Sequence, residues 1–315
     1  MKTKIRYFFI FAFYLFLLFF CYRISLKDHA SHTFLPKIKN TTDLPAPYQK
    51  YHTADYNSTC KEFYPNFLFN CNLSKSTEPT IVLFGDSHMN MYYNSFVEEL
   101  KSDTVMTAFN ASCFPFSSFY FTDFGCQKTL DQFKNFISKT SSIHTIVLSG
   151  YFSYLTSSFK YGNYDGKRVA NDLDYDHEVK MIKSAKNVLD FLKESKKKII
   201  IITDIPDMVF SISECFEVNN SKLIKKFRNY KKKRDKCYIS RDDYEKRNKP
   251  FELLLFNVLK KYPEIKVFDP KSILCDKINC YAINDGYNFY YDSDHLTGYA
   301  SNLIVKNIMY KGFFK

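Results

Sequence analysis

TIVLFGDSH, residues 80–88, sets a short apolar run directly against a turn and the start of a helix. Thr80–Phe84 is too short for a helix and opens with three β-branched residues, so it reads as a buried strand. Gly85 permits a sharp turn. Asn90–Leu100 reads as the helix that follows. Ser87 is thereby placed at the carboxyl end of the first strand, on the edge where open α/β sheets gather their sites. Its own N–H, with the helix start behind it, faces any oxyanion that develops on a bound substrate.

The alternation continues along the chain. Thr104–Phe109, His144–Ser149, Lys198–Thr203 and Ile265–Phe268 are further short apolar runs with strand character. Glu178–Glu194 repeats Met181, Ile182, Ala185, Val188, Leu189 and Leu192 at helical spacing, a second such helix spans Tyr244–Lys261, and Gly298–Met309 closes the chain. Alternating strands and helices predict a three-layer α/β architecture, a parallel sheet with helices on both faces. YDSDHLT, residues 291–297, lies just before the last helix. Asp292 and His295 stand three apart on that loop, within reach of a mutual hydrogen bond. The carboxylate would then set the imidazole tautomer and leave the other nitrogen to accept a serine proton. GDS and DxxH are each common by chance; they gain weight because both fall on the same predicted edge.

At the amino end, Lys2, Lys4 and Arg6 precede the uncharged run Tyr7–Tyr22, and Arg23 and Lys27 follow it. The run is slightly below the roughly 17–25 residues that span a bilayer, and the flanking arginines extend it by snorkelling. No small-x-small cleavage site follows, which favours an uncleaved single-pass anchor over a signal peptide. Basic residues ahead of it keep the amino terminus in the cytoplasm and put the rest outside. The expected organisation is residues 1–26 as cytoplasmic tip and anchor, 27–78 as a stalk with a disulfide loop, and 79–315 as the main domain.

Cysteine usage supports that sidedness. Of nine cysteines, Cys21 lies in the anchor and eight lie beyond it, as the sequence-neighbouring pairs Cys60/Cys71, Cys113/Cys126, Cys215/Cys237 and Cys275/Cys280. An even number in small loops suits an oxidising compartment, and the spacings lack the CxxC pairs of zinc sites. Net charge is +12, much of it in residues 222–249, where thirteen Lys and Arg face four Asp and Glu. That segment reads either as a solvated helical insertion or as a surface for an anionic glycan or membrane phosphates. Nucleic acid is not expected as a partner outside the cytoplasm.

GDSH near the start and DxxH near the end together resemble the SGNH (GDSL-type) hydrolase superfamily. The likeness is closer to the extracytoplasmic SGNH domain of OafA-type acyltransferases. There a Cys-Pro-containing loop follows the first helix, matched here by Ser112-Cys113-Phe114-Pro115, and the ending is matched by Leu274-Cys275, Cys280 and Tyr290–Thr297. The resemblance covers about residues 79–315. It implies the flavodoxin-like SGNH hydrolase fold, with Ser87 as nucleophile, His295 as base and Asp292 as its orienter, and no metal or other cofactor. The superfamily's middle-block asparagine is missing where the third strand ends in Ser149-Gly150-Tyr151-Phe152, as in the OafA-type subgroup. That leaves Ser87, Asn110 and Gly150 as candidates for the oxyanion hole.

The resemblance also implies O-acetyl transfer onto a cell-surface carbohydrate through an acyl-serine, with a separate membrane acyltransferase supplying the acyl group. A carbohydrate acetylesterase of the same fold and an inactive glycan-binding module stand as alternatives. A metallophosphoesterase reading of Asp86-Ser87-His88 fails for want of the further His, Asp and Asn motifs it needs. Of the remaining side chains, Asp86 is expected to brace the loop, His88 to pack beside it, and Asp294 to face solvent.

Overall fold

Buried apolar runs do form the central strands. A computed structural model describes residues 58–110, 113–116, 125–152, 159–161, 168–170, 175–210, 212–215 and 236–315. In chain order its elements are α1 (Ser58–Phe63), β1 (Asn70–Leu73), β2 (Ile81–Gly85), α2 (Ser87–Asn90), α3 (Tyr93–Glu99), β3 (Val105–Phe109), α4 (Cys126–Lys139) and β4 (Thr145–Ser149). Then come β5 (Phe159–Tyr161), β6 (Arg168–Ala170), α5 (Tyr175–Glu194), β7 (Lys198–Ile202), β8 (Tyr238–Ser240), α6 (Arg241–Leu259) and β9 (Lys266–Phe268). The last are α7 (Lys271–Leu274), β10 (Asn279–Tyr281), β11 (Ile283–Asn284), β12 (Tyr287–Asn288) and α8 (Gly298–Tyr310).

One six-stranded sheet, in the order β1-β3-β2-β4-β7-β9, organises the domain. β2, β3, β4, β7 and β9 run parallel. Every residue of β2, β3 and β4 is buried, which is why these segments are continuously apolar rather than alternating. Side chains of opposite parity still face opposite sides. Val82, Phe84, Ile146 and Leu148 join one core cluster with Leu130 and Phe133 of α4, Val188 and Leu189 of α5, and Leu254 and Leu255 of α6. Ile81, Leu83 and Val147 are buried outside that cluster, as are Phe96 of α3 and Ile304 and Ile308 of α8, two helices that pack on each other.

The fully parallel expectation needs one correction. β1 pairs antiparallel with β3, Asn70 opposite Phe109 and Leu73 opposite Met106, so the sheet is mostly parallel. The strand comes from residues 27–78, expected as stalk and disulfide loop. With four residues and two asparagines it carries little strand signal of its own. It needs a partner on one side only, and the Cys60–Cys71 bridge ties it to α1. α4 also lies outside the sequence reading, and the helix expected over 90–100 forms as α3, with the short α2 as a separate turn before it.

The eight described cysteines form four disulfides, Cys60–Cys71, Cys113–Cys126, Cys215–Cys237 and Cys275–Cys280. Such a set belongs to an oxidising, extracytoplasmic compartment. Among the described residues no helix is long and apolar enough to cross a membrane. The expected anchor at Tyr7–Tyr22, and residues 222–235 of the basic segment, lie outside the described residues.

Candidate active site

β2 ends at Gly85, and the chain turns at once into α2. A Cβ on Gly85 would run into the carbonyl oxygen of Ser149 on the neighbouring strand and come within 2.8 Å of the Met89 Cβ. Only glycine fits a turn this close to β4. Asp86 then caps α2, its Oδ1 accepting from the His88 N–H at 2.8 Å. Its Oδ2 accepts from the Tyr151 N–H at 2.9 Å, which ties the turn to the segment after β4. Asp86 thus braces the loop, as its position suggested. Burial pushes its carboxyl up from the usual range, against the pull of His88 and these two N–H donors.

The DxxH loop is braced from within. Asp292 Oδ1 accepts from the backbone N–H groups of Asp294 at 2.9 Å and His295 at 2.7 Å. The His295 carbonyl accepts from the Tyr291 N–H at 2.8 Å, and Thr297 caps α8 through its hydroxyl. From outside, the Met208 N–H on the segment after β7 donates to the Ser293 carbonyl at 2.6 Å. This puts His295 Nδ1 2.9 Å from Asp292 Oδ2 and 3.1 Å from Oδ1, and His295 Nε2 2.9 Å from Ser87 Oγ. Three residues from the two ends of the domain therefore form one hydrogen-bonded chain at the carboxyl edge of the sheet. Burial pulls the His295 imidazole down, but hydrogen bonds to Asp292 and Asp294 prevail and raise it to about 9.

A second polar layer lies behind that chain. Asp294, expected to face solvent, is instead mostly covered: its Oδ1 is 3.4 Å from His295 Nδ1 and its Oδ2 is 3.8 Å from His88 Nε2. Although burial disfavours its charge, the two imidazoles hold the carboxyl below its usual range. His88 is 1% exposed, with Nδ1 3.2 Å from Asp204 Oδ1 and its ring stacked on Tyr151 at 4.5 Å between centres. Tyr151 OH donates to Asp207 Oδ2 at 2.5 Å, and Arg247 of α6 reaches the same oxygen at 2.6 Å. Burial raises the Asp207 carboxyl, with Arg247 opposing.

Sequence reasoning missed Asp204, Asp207, Tyr151 and Arg247. Asp204 and Asp207 just beyond β7, and Tyr151 just beyond β4, follow the rule that located Ser87, polar residues past a strand's carboxyl end. Arg247 sits in a charge-rich stretch and carried no such signal.

The oxyanion candidates follow three adjacent strands. Ser87 lies beyond β2, Asn110 beyond β3 and Gly150 beyond β4, with Gly85 in register with both Phe109 and Ser149. The Asn110 N–H donates to the Gly85 carbonyl at 3.3 Å and its side-chain amide to Thr129 Oγ1 at 3.3 Å. Gly150 is close-packed, a Cβ there falling 2.9 Å from Pro115 Cδ and 3.3 Å from Asp86 Oδ2. His88, Asp294 and His295 bring ligand-type atoms within 4.8 Å of one another. His295, however, commits its nitrogens to Ser87 and Asp292, which leaves one histidine and one carboxylate, too few for a metal centre of this kind.

Residues 55–309 match the family described as SGNH domain (fused to AT3 domains). No curated protein matches the chain. Among solved structures, the lipopolysaccharide acetyltransferase periplasmic domain of Salmonella ser. Paratyphi A aligns with a TM-score of 0.50 and 15% identity, over 75% of this chain and 84% of that one. An acylhydrolase from Bacteroides fragilis NCTC 9343 aligns more loosely, at a TM-score of 0.38 and 13% identity over 75% and 91% of the two chains. The family match spans most of the sequence, from α1 to the last helix, so this chain belongs to the SGNH domain family and is an enzyme that acts on ester bonds.

Proposed function

We propose that the protein is an O-acyltransferase of the cell surface, moving acetyl groups onto a carbohydrate through an acyl-serine intermediate at Ser87. The observation that carries the mechanism is the continuous hydrogen-bonded chain from Ser87 Oγ through His295 to Asp292. Acetyl as the acyl group, and a surface glycan as acceptor, are suggested by the family's association with AT3 domains and by the lipopolysaccharide acetyltransferase domain of similar fold.

In the first half-reaction Ser87 Oγ bonds to the ester carbonyl carbon while His295 Nε2 takes the hydroxyl proton. Asp292 stabilises the imidazolium so formed. Collapse of the tetrahedral intermediate breaks the bond to the donor oxygen, which leaves with that proton, and acyl-Ser87 remains. In the second half a sugar hydroxyl gives its proton to His295 and attacks the same carbon, and Ser87 leaves with its proton restored. The N–H of Ser87, with Gly150 and Asn110 just beyond the adjoining strands, forms the set of candidate oxyanion donors. Tyr7–Tyr22 would tether the domain to the cytoplasmic membrane, where a separate membrane acyltransferase delivers the acyl group. Water in place of the sugar makes the same site a carbohydrate acetylesterase.

Ser87→Ala should abolish acetate release from a small acetyl ester while leaving the melting temperature unchanged. A folded Ser87→Ala protein with the wild-type rate would remove the mechanism. Supplying acetyl donor together with sugar acceptor separates the two products: acetylated sugar identifies a transferase, free acetate alone an esterase.

A further inference from the structure

The Ser87–His295–Asp292 chain uses one of the carboxylates around His295 and leaves a second imidazole unexplained. Asp294 lies between the two rings, 3.4 Å from His295 Nδ1 and 3.8 Å from His88 Nε2. His88 is held from its far side by Asp204 at 3.2 Å, and its ring centre is 5.1 Å from that of His295. We propose that His88 is a positioning residue for acyl transfer, a cationic imidazole clamped between Asp204 and Asp294 that offsets Asp294 and so eases the loss of the proton from His295. The inference rests on the Ser87–His295 reading above and adds a part to it.

The geometry argues for the cation. With its Nδ1–H donated to Asp204, a neutral His88 would aim the bare lone pair of Nε2 at the Asp294 carboxylate. Nε2 is buried and has no hydrogen-bond partner among the described residues, so none of them would relieve that repulsion. A proton on Nε2 turns it into attraction. The other charged groups facing the pair have partners of their own, although Asp86 also favours the cation. Arg247 of α6 meets Asp207 beyond β7, and Asp86 accepts two backbone N–H groups. Tyr92, Tyr151, Tyr244 and Tyr290 are all pushed upward by burial and stay neutral. Although burial disfavours a charged His88, Asp204 and Asp294 hold its proton well above the ordinary histidine range.

Asp292 and Asp294 both favour the protonated form of His295, and a protonated His295 cannot take the proton of Ser87. The positive charge of His88 opposes them. Removing that charge should make His295 hold its proton to higher pH; removing Asp294 should make it release the proton earlier. Two unit charges about 5 Å apart, at an effective dielectric constant of about 20–40, shift a titration by about one to two pH units.

The test is the pH dependence of kcat/KM for p-nitrophenyl acetate with the full-length membrane protein, corrected for spontaneous hydrolysis. Its acidic limb reports the free-enzyme base. His88→Gln, which keeps hydrogen-bonding capacity but not charge, should move the limb about one to two units alkaline and recover much of its lost activity above it. Asp294→Asn should move the limb acidic, and the double variant should return it close to wild type. An unmoved limb in both single variants, or shifts in the same direction, would overturn the assignment. If His88→Gln fails to fold by its melting curve, the nitrogen NMR shifts of His88 in the wild-type protein decide: protons on both ring nitrogens at about pH 7 support the cation, and one bare nitrogen overturns it. Ser87→Ala run alongside separates the two ideas: an inactive Ser87→Ala with unmoved limbs rejects His88 alone, whereas an active one rejects the underlying mechanism.

Discussion

Replacing Gly85 by alanine tests the closeness of β2 to β4 where the site is built. The added Cβ would overlap the Ser149 carbonyl oxygen, lie 3.1 Å from the Ser149 carbonyl carbon, and approach the Met89 Cβ at 2.8 Å. None of these is the end of a flexible side chain. Ser149 is the direct parallel partner of Gly85, so relief requires moving one strand against the other. Overpacking of a tight core costs about 1–3 kcal/mol, and more when backbone must shift, so about 3 kcal/mol is expected here. For a domain of this size, where about 1 kcal/mol corresponds to about 2–4 °C, the melting temperature should fall by about 6–12 °C. Ser87 lies two residues on, and a displacement of about 1 Å in a reacting group costs about 100-fold in rate. Thermal unfolding by circular dichroism and turnover of a small acetyl ester read both effects. Gly125→Ala is the control: its Cβ meets nothing within 4 Å, and only the left-handed φ of 69° opposes it, at about 1–2 kcal/mol. A Gly85→Ala protein that melts within 2 °C of wild type, or less destabilised than Gly125→Ala, would refute the reasoning.

Two further outcomes bear on the layers around Ser87. Asp292→Asn keeps the size of the side chain but places an amide against His295 Nδ1 and favours the wrong tautomer; kcat should fall by about 10⁴-fold with little change in stability, as steady-state kinetics would record. Arg247→Met should cost about 3–5 kcal/mol in urea denaturation, because it leaves the buried Asp207 carboxylate without its cation, and Arg247→Met/Asp207→Asn should regain most of that loss.

How legible this site was depends on the range of the interactions that build it. Asp292 and His295 are joined across one turn by bonds that Asp292 itself makes to the next backbone groups, so a local motif sufficed to find them. Ser87 was locatable because a strand, a glycine and a helix cap fall within a few residues. Asp294 was misplaced because nothing in its loop indicates that His88 and His295 close over it. β1 escaped notice because its strand character comes from pairing with β3 and from a disulfide rather than from its own composition.

The apolar runs, the glycine turn, the DxxH spacing and the neighbouring cysteines are properties of a few consecutive residues, governed by backbone sterics, side-chain periodicity and short hydrogen bonds. From them the five parallel strands, their active edge and the Ser87/His295/Asp292 set could be read directly. Tertiary packing settled the rest. It brought Ser87 and His295 to 2.9 Å across 208 residues of chain, and it set His88 between Asp204 and Asp294 and Tyr151 against Asp207 and Arg247. Those contacts join the ends of different strands and a helix. Their energies depend on burial and on the company of other charges, neither of which exists until the sheet has assembled.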